Sequence, residues 1–215
     1  MPVPLMKKKS FIRSGEGTVA SYSWTDFAEN TGNIRYYLAQ DHTDAADHYF
    51  ITGQTIRSND KFTEDTTASA TFVQVADIDF DILFNVPARI RGTAYASISL
   101  GIYNAAATGV LYCIANVRKY DGTTETEFAD GQSAEFSVAP GVADKVLTVA
   151  IDLSTQQKII AGEKLRITIE VFAKSSGGDT KIALYHDPAD RNVTWNGDTQ
   201  DTTQSYVTIP FILDL

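Results

Sequence analysis

"ARIRGTAYASISLGIY", Ala88 to Tyr103, alternates for an unusually long run. Ile90, Ala94, Ala96, Ile98, Leu100 and Ile102 fall on one side, and Arg89, Arg91, Thr93, Ser97 and Ser99 on the other. Successive side chains of a strand point to opposite faces. A period of two held this long therefore specifies a strand with one face on a core and one in water. The pattern recurs. "DIDFDILF" places Ile78, Phe80, Ile82 and Phe84 opposite Asp77, Asp79 and Asp81. "KVLTVAIDL" aligns Leu147, Val149, Ile151 and Leu153, and "KLRITIEVFA" aligns Leu165, Ile167, Ile169 and Val171. "SYVTIPFILDL" carries Val207, Ile209, Phe211, Leu213 and Leu215.

Turn residues separate these runs. Asp121-Gly122 in "YDGTT" is a strong hairpin signal between "LYCIANVRKY" and "ETEFAD". Pro87, Gly162 and Gly177-Gly178 punctuate the other junctions. From about residue 69 onward no segment has a convincing 3.6-residue period, and "STQQKII" offers at most one turn. The expected fold is all-β: an antiparallel β-sandwich, jelly-roll-like, with an irregular N-terminal arm.

That arm is expected over residues 1–50, with the sandwich over 51–215. "SYSWTDFAENTGNIRYYLAQDHTDAADHYF" is aromatic and polar with poor alternation, and "TDAADHYF" reads as a short helix with Asp44 near its start. "YFITGQTI" reads as the first regular strand or an edge strand. Lys7, Lys8, Lys9 and Arg13 form a basic cluster, and Trp24 adds an aromatic. Together they suit an assembly arm that reaches an acidic partner and packs on a neighbouring subunit; a solvated terminus is the plainer alternative.

With 215 residues the chain is long enough to cover roughly 70% of its unfolded surface on folding. Its single cysteine, Cys113, lies in the apolar run "VLYCIANV". It can form no disulfide and no cysteine-based zinc site within one chain, and it is expected as a small buried hydrophobe. A net charge of −9 disfavours general nucleic-acid binding. No secretory pattern is read, and no apolar run approaches the ~20 residues of a membrane span.

Few segments concentrate chemistry. "YHDPADRN" packs His186, Asp187, Asp190 and Arg191 behind a strand end. A catalytic reading makes His186 a base oriented by Asp187, which requires a nucleophile in reach. The structural reading has Asp187, held extended by Pro188, accept bonds from backbone N–H groups of its turn while Arg191 pairs with Asp187 or Asp190. The sequence marks out no nucleophile, so the structural reading is preferred. "QDHTDAADHYF" holds Asp41, His42, Asp44, Asp47 and His48, without the i, i+4 histidine spacing of a helical metal site. Asp77, Asp79 and Asp81 repel one another, and Arg89 and Arg91 are expected to face them across strands. No nucleotide-binding or calcium-loop motif occurs. Trp24, Trp195, Tyr36, Tyr37 and Tyr95 are candidates for a sugar platform. Trp195, in the polar loop "NVTWNGDTQ", is the best single candidate for glycan contact, although a tryptophan there also serves to anchor a loop.

The order "FNVPARIRGTAYASISL", "VRKYDGTTETEFADGQSAEF", "AGEKLRITIEVFAKSSGGDTKIALYHDPADR" and a terminal "VTIPFILDL" resembles β-rich virion proteins of tailed viruses of bacteria or archaea, over about residues 76–215. The resemblance implies a decoration, cement, tail or fibre component located in the virion. It implies major capsid or tail proteins as partners and brings no catalytic residues. The expectation is therefore a homo-oligomeric structural protein with no enzyme activity, cofactor or metal, and with no nucleic-acid or membrane partner. A carbohydrate-binding jelly roll for host attachment, using Trp195, is the alternative. A hydrolase built on His186 is the third reading.

Overall fold

A computed structural model describes residues 12–13, 16–17, 31–43, 46–66 and 69–212. The strands are β1 (Ile12–Arg13), β2 (Glu16–Gly17), β3 (Thr31–Thr43), β4 (Ala46–Thr52), β5 (Lys61–Thr66), β6 (Val73–Leu83), β7 (Ala88–Asn104) and β8 (Gly109–Tyr120). They continue with β9 (Glu125–Gln132), β10 (Phe136–Val138), β11 (Gly141–Ile159), β12 (Lys164–Ser175), β13 (Thr180–Tyr185), β14 (Val193–Trp195), β15 (Asp198–Gln200) and β16 (Tyr206–Ile212). No helix occurs among the described residues. The chain is all-β and forms a β-sandwich.

Twelve of the strands make one hydrogen-bonded sheet, folded over into two layers. One layer runs β9 and β10, then β8, β12 and β6. The other is built on β7. Its full length pairs with β11 on one side. Its other side pairs first with β16 and then with β13. From β16 the sheet continues to β3 and β4, and from β13 to β5. The layers join where β4 meets β6 through a single parallel pairing, Phe50 with Asp81.

The alternating apolar residues meet between the layers. Ile90, Ala94, Ala96, Ile98, Leu100 and Ile102 of β7 are fully buried, as are Ile167, Ile169 and Val171 of β12 and Ile182 and Leu184 of β13. The second junction of the layers is closed by a glycine. A Cβ on Gly131 of β9 would lie 2.2 Å from the Ala150 carbonyl oxygen of β11. Cys113 is buried in this core, and burial pushes its thiol up to about 11.

The start of the sandwich differs from the expectation. The boundary at residue 50 moves back, because β3 begins at Thr31 and pairs with β16 on one side and β4 on the other. Tyr36 and Leu38 of β3 are core residues. Adjacent tyrosines, one facing in and one out, blur the alternation of "NIRYYLAQ". The short helix expected in "TDAADHYF" is a β-hairpin arm instead, with Asp41 opposite His48 and His42 opposite Asp47. Sheet pairing outweighs a weak local helix preference here. Asp44, Lys7, Lys8, Lys9 and Trp24 lie outside the described residues, and Arg13 falls in β1, opposite Glu16. "STQQKII" belongs to β11, whose register against β7 shifts between Leu153 and Gln157.

The close approach at Gly131 yields a test. Gly131→Ala forces the two layers apart at β9 and β11, and overpacking of this kind costs roughly 1–3 kcal/mol. Chemical denaturation should show that loss with an unchanged denaturant slope. An unaltered midpoint would contradict the packing described.

Candidate functional site

The turn after β13 is a knot of buried polar groups. Its residues come from the stop of an alternating strand at Asp187-Pro188. Asp187 is fully buried and accepts from Arg191 Nε at 2.6 Å and from the Ala189 and Arg191 amides at 3.2 and 3.3 Å. Arg191 Nη2 donates to the Ser58 carbonyl at 2.6 Å. Asp190, at φ 51°, accepts from the Thr203 and Gln204 amides at 2.8 and 3.0 Å. The His186 amide donates to the Asp60 carbonyl, and the Asp187 amide to the Thr203 carbonyl. Ser205 Oγ donates to the Tyr185 carbonyl and accepts from the Ser99 amide. Three chain segments, 58–60, 186–191 and 202–205, are thereby tied to β7. The structural reading of "YHDPADRN" describes this geometry, with Asp187 as the partner of Arg191.

His186 itself is enclosed. Its ring lies 5.7 Å from the ring of Tyr49 and 6.1 Å from that of Phe80, both edge-on, and neither ring nitrogen has a hydrogen-bond partner. Burial pushes its pKa down to about 4 from the ordinary 6.5, outweighing the opposing pull of its own backbone, of Asp60 and Asp187, and of the Asn59 backbone. As the pH falls below about 6.5 the unfolded chain binds this proton first. Stability present above 6.5 is therefore lost progressively down to pH 4, by about 3 kcal/mol in total. Denaturation midpoints measured between pH 8 and pH 4 should fall in this window. His186→Leu should flatten that segment of the profile, and an equally steep loss in the variant would contradict the assignment. Asp187→Ala, which leaves the Arg191 guanidinium and two amides without their acceptor, should cost about 3 kcal/mol at pH 7.

Trp195 is a packing residue in this structure. It is 8% exposed and sits in a cluster with Ala183, Tyr185 and Val193 beneath the β14–β15 hairpin. Its ring occupies the space above Gly101, where a Cβ would come within 2.9 Å of it. The loop-anchor role describes this placement. Tyr36 is buried as well.

The two outer faces differ. On the β9–β8–β12–β6 face, Arg166 binds Asp81 through Nε and Nη2 at 2.8 and 2.9 Å, Asp79 through Nη1 at 2.7 Å, and also Glu125. Lys164 Nζ lies 3.0 Å from Asp81. Burial raises the Asp81 carboxyl, but Arg166 and Lys164 outweigh it and hold it below the usual range. The expected pairing of these aspartates with Arg89 and Arg91 is thus corrected. β6 lies beside β12, in the other layer from β7, so Arg166 is the cation in register. Further along, Tyr112 and Phe172 stack at 5.0 Å with 8° between their planes.

The β11–β7–β16–β3 face carries its own rings and, beyond Ser97, is covered by residues 186–205 of this chain. Tyr95, opposite Ala150, is 53% exposed, and Val146, opposite Ser99, is 37% exposed. Tyr206 packs edge-on to Tyr37 at 6.1 Å, and the Arg35 guanidinium lies 4.2 Å above the Tyr206 ring. Two buried polar residues went unmarked in the sequence. Asn104 donates to Ser175 Oγ and Thr180 Oγ1 and accepts from the Ala106 and Ala107 amides. Gln200 lies with its amide against the Asp144 carboxylate. An Asn closing an alternating strand just before "AAATG" is the one available signal, since Asn commonly bonds the backbone of a following turn. Among the described residues no group of three or more His, Cys, Asp or Glu is placed to hold a metal ion.

No family model matches the chain, and no curated protein matches it. Among solved structures it is similar to an α-amino acid ester hydrolase, with 10% identity and a TM-score of 0.49 over 82% of this chain and 36% of that one. It is similar to an aminopeptidase from a marine sediment Thaumarchaeota archaeon, with 9% identity and a TM-score of 0.46 over 86% and 37%. It is also similar to a chain of infectious bursal disease virus, Gx strain, with 11% identity and a TM-score of 0.31 over 99% and 41%. The chain spans little more than a third of those hydrolases. Its structural neighbours thus include both hydrolases and virus particle proteins. The expectation that the chain is no enzyme is corrected accordingly, since hydrolases stand among these neighbours.

Proposed function

We propose that the chain is a structural component of a virus particle, a β-sandwich that binds a capsid or tail lattice of tailed-virus type. One observation carries the reading: the β11–β7–β16–β3 face presents Tyr95, Tyr37, Tyr206, Arg35 and Val146 on its outer side. Tyrosine and arginine are the residues enriched where protein surfaces meet. Virus particle proteins among the structural neighbours accord with this reading without adding weight to it.

Gradient-purified particles from a host that carries the gene test this directly. The chain should co-sediment with particles at a fixed ratio, and Tyr95→Glu should release it while leaving the fold intact by circular dichroism. A chain that remains in the unsedimented fraction and hydrolyses a panel of aminoacyl esters would overturn the reading.

A further inference from the structure

The outer face of β7 and β11 is electrically polar along the strands. At one end lie Arg89, Arg91 and Lys158, all exposed, with Arg89 and Lys158 directly opposite each other in register. Like charges so placed repel. None of the three has an ion-pair partner among the described residues, and Asp152 nearby leaves this end net positive. At the other end Asp144 stands opposite Gly101, with Asp198 and Asp201 of the β14–β15 hairpin close enough to raise its carboxyl, after burial itself. These three carboxylates have no cationic partner among the described residues either. Between the two ends lie Tyr95 and Val146. A protein of net charge −9 thus holds a cluster of unpaired cations on the same face as a cluster of unpaired anions.

From this pattern we infer that the face docks on the same face of a second copy of the chain, about a two-fold axis near Tyr95 and Ala150. The inference deepens the structural role proposed above and rests on it. A two-fold operation turns the second copy end for end. Each basic end then meets an acidic end, twice, while Tyr95 and Ala150, directly opposite each other in register, meet their symmetry mates at the centre. Beyond Ser97 this chain covers its own face: Ser99 is fully buried and bonded to Thr202 and Ser205, and Trp195 and Tyr185 sit over Gly101. The docking contact therefore runs along Arg89 to Ser97 and reaches the carboxylates carried beside and on the β14–β15 hairpin.

Sedimentation equilibrium on the full chain tests the arrangement with a charge swap. The wild type should show a monomer–dimer equilibrium that weakens from low salt to about 1 M salt, where charges are screened within about 3 Å. The double variant Arg89→Glu/Lys158→Glu and the double variant Asp144→Lys/Asp198→Lys should each weaken dimerisation by about tenfold or more. An equimolar mixture of the two should restore it, since one then carries two acidic ends and the other two basic ends. Ala150→Asp, opposite Tyr95 at the axis, should weaken the dimer without touching either charged end. A wild type that stays monomeric at about 1 mM, far above the micromolar range of standard interfaces, would overturn the inference. So would open-ended oligomers, or a dimer indifferent to both reversals. A monomer that still sediments with particles would leave the proposed function standing and remove only the self-docking.

Discussion

Everything in this fold hangs on β7. It is a 17-residue strand. One edge is paired with β11 along nearly its whole length, and the other is shared end to end by β16 and β13. Its inward residues fill the centre of the core, and its outward residues from Arg89 to Ser97 line the face proposed to bind partners. The division follows from the pleat. A slip of one residue would send Ile98 and Leu100 into water and drive Arg91 and Tyr95 into the core. Register along β7 therefore sets core and surface together, and the twelve-stranded sheet is arranged around it.

The polar knot at 186–191 solves a problem that this long strand creates. Where β16 gives way to β13 along β7, three segments end together and their backbone groups need partners out of water. Asp187, Asp190 and Ser205 supply acceptors and donors there, and Asn104 does the same at the far end of the strand. Arg191 closes the knot by pairing with Asp187 and bonding the Ser58 carbonyl. His186 is the exception, an enclosed imidazole without a partner beneath the β4–β6 seam. A group left in that state makes the seam sensitive to acid.

The alternation of residues 88–103 and 164–173 made the sandwich legible, because a one-sided core imposes a period of two directly on the sequence. The role of Asp187 was legible too, since aspartate before proline bonds locally. What sequence could not supply was pairing between distant strands. Arg89 and Arg91 alternate in phase with Asp77 to Asp81, yet the neighbour of β6 is β12, and Arg166 takes the aspartates. Trp195 in a polar loop looks exposed, but Gly101, more than ninety residues earlier, leaves the hollow that its ring fills. Tyr95 and Val146 sit in ordinary alternating strands, and only the assembled sheet shows that nothing among the described residues covers them. The β3 strand was hidden by paired aromatics and by a polar hairpin that resembles a helix start.

Hydroxyl-radical footprinting across a concentration series tests the central claim, that the outer face of β7 and β11 is a contact surface. The account predicts that Tyr95 and Val146 lose reactivity as the protein is concentrated. Leu83, Val86 and Ile160, which are 45, 61 and 47% exposed at the end of the sandwich, should keep theirs. Constant reactivity at Tyr95 and Val146, with protection at Leu83, Val86 and Ile160 instead, would contradict it and move the contact to the end of the sandwich.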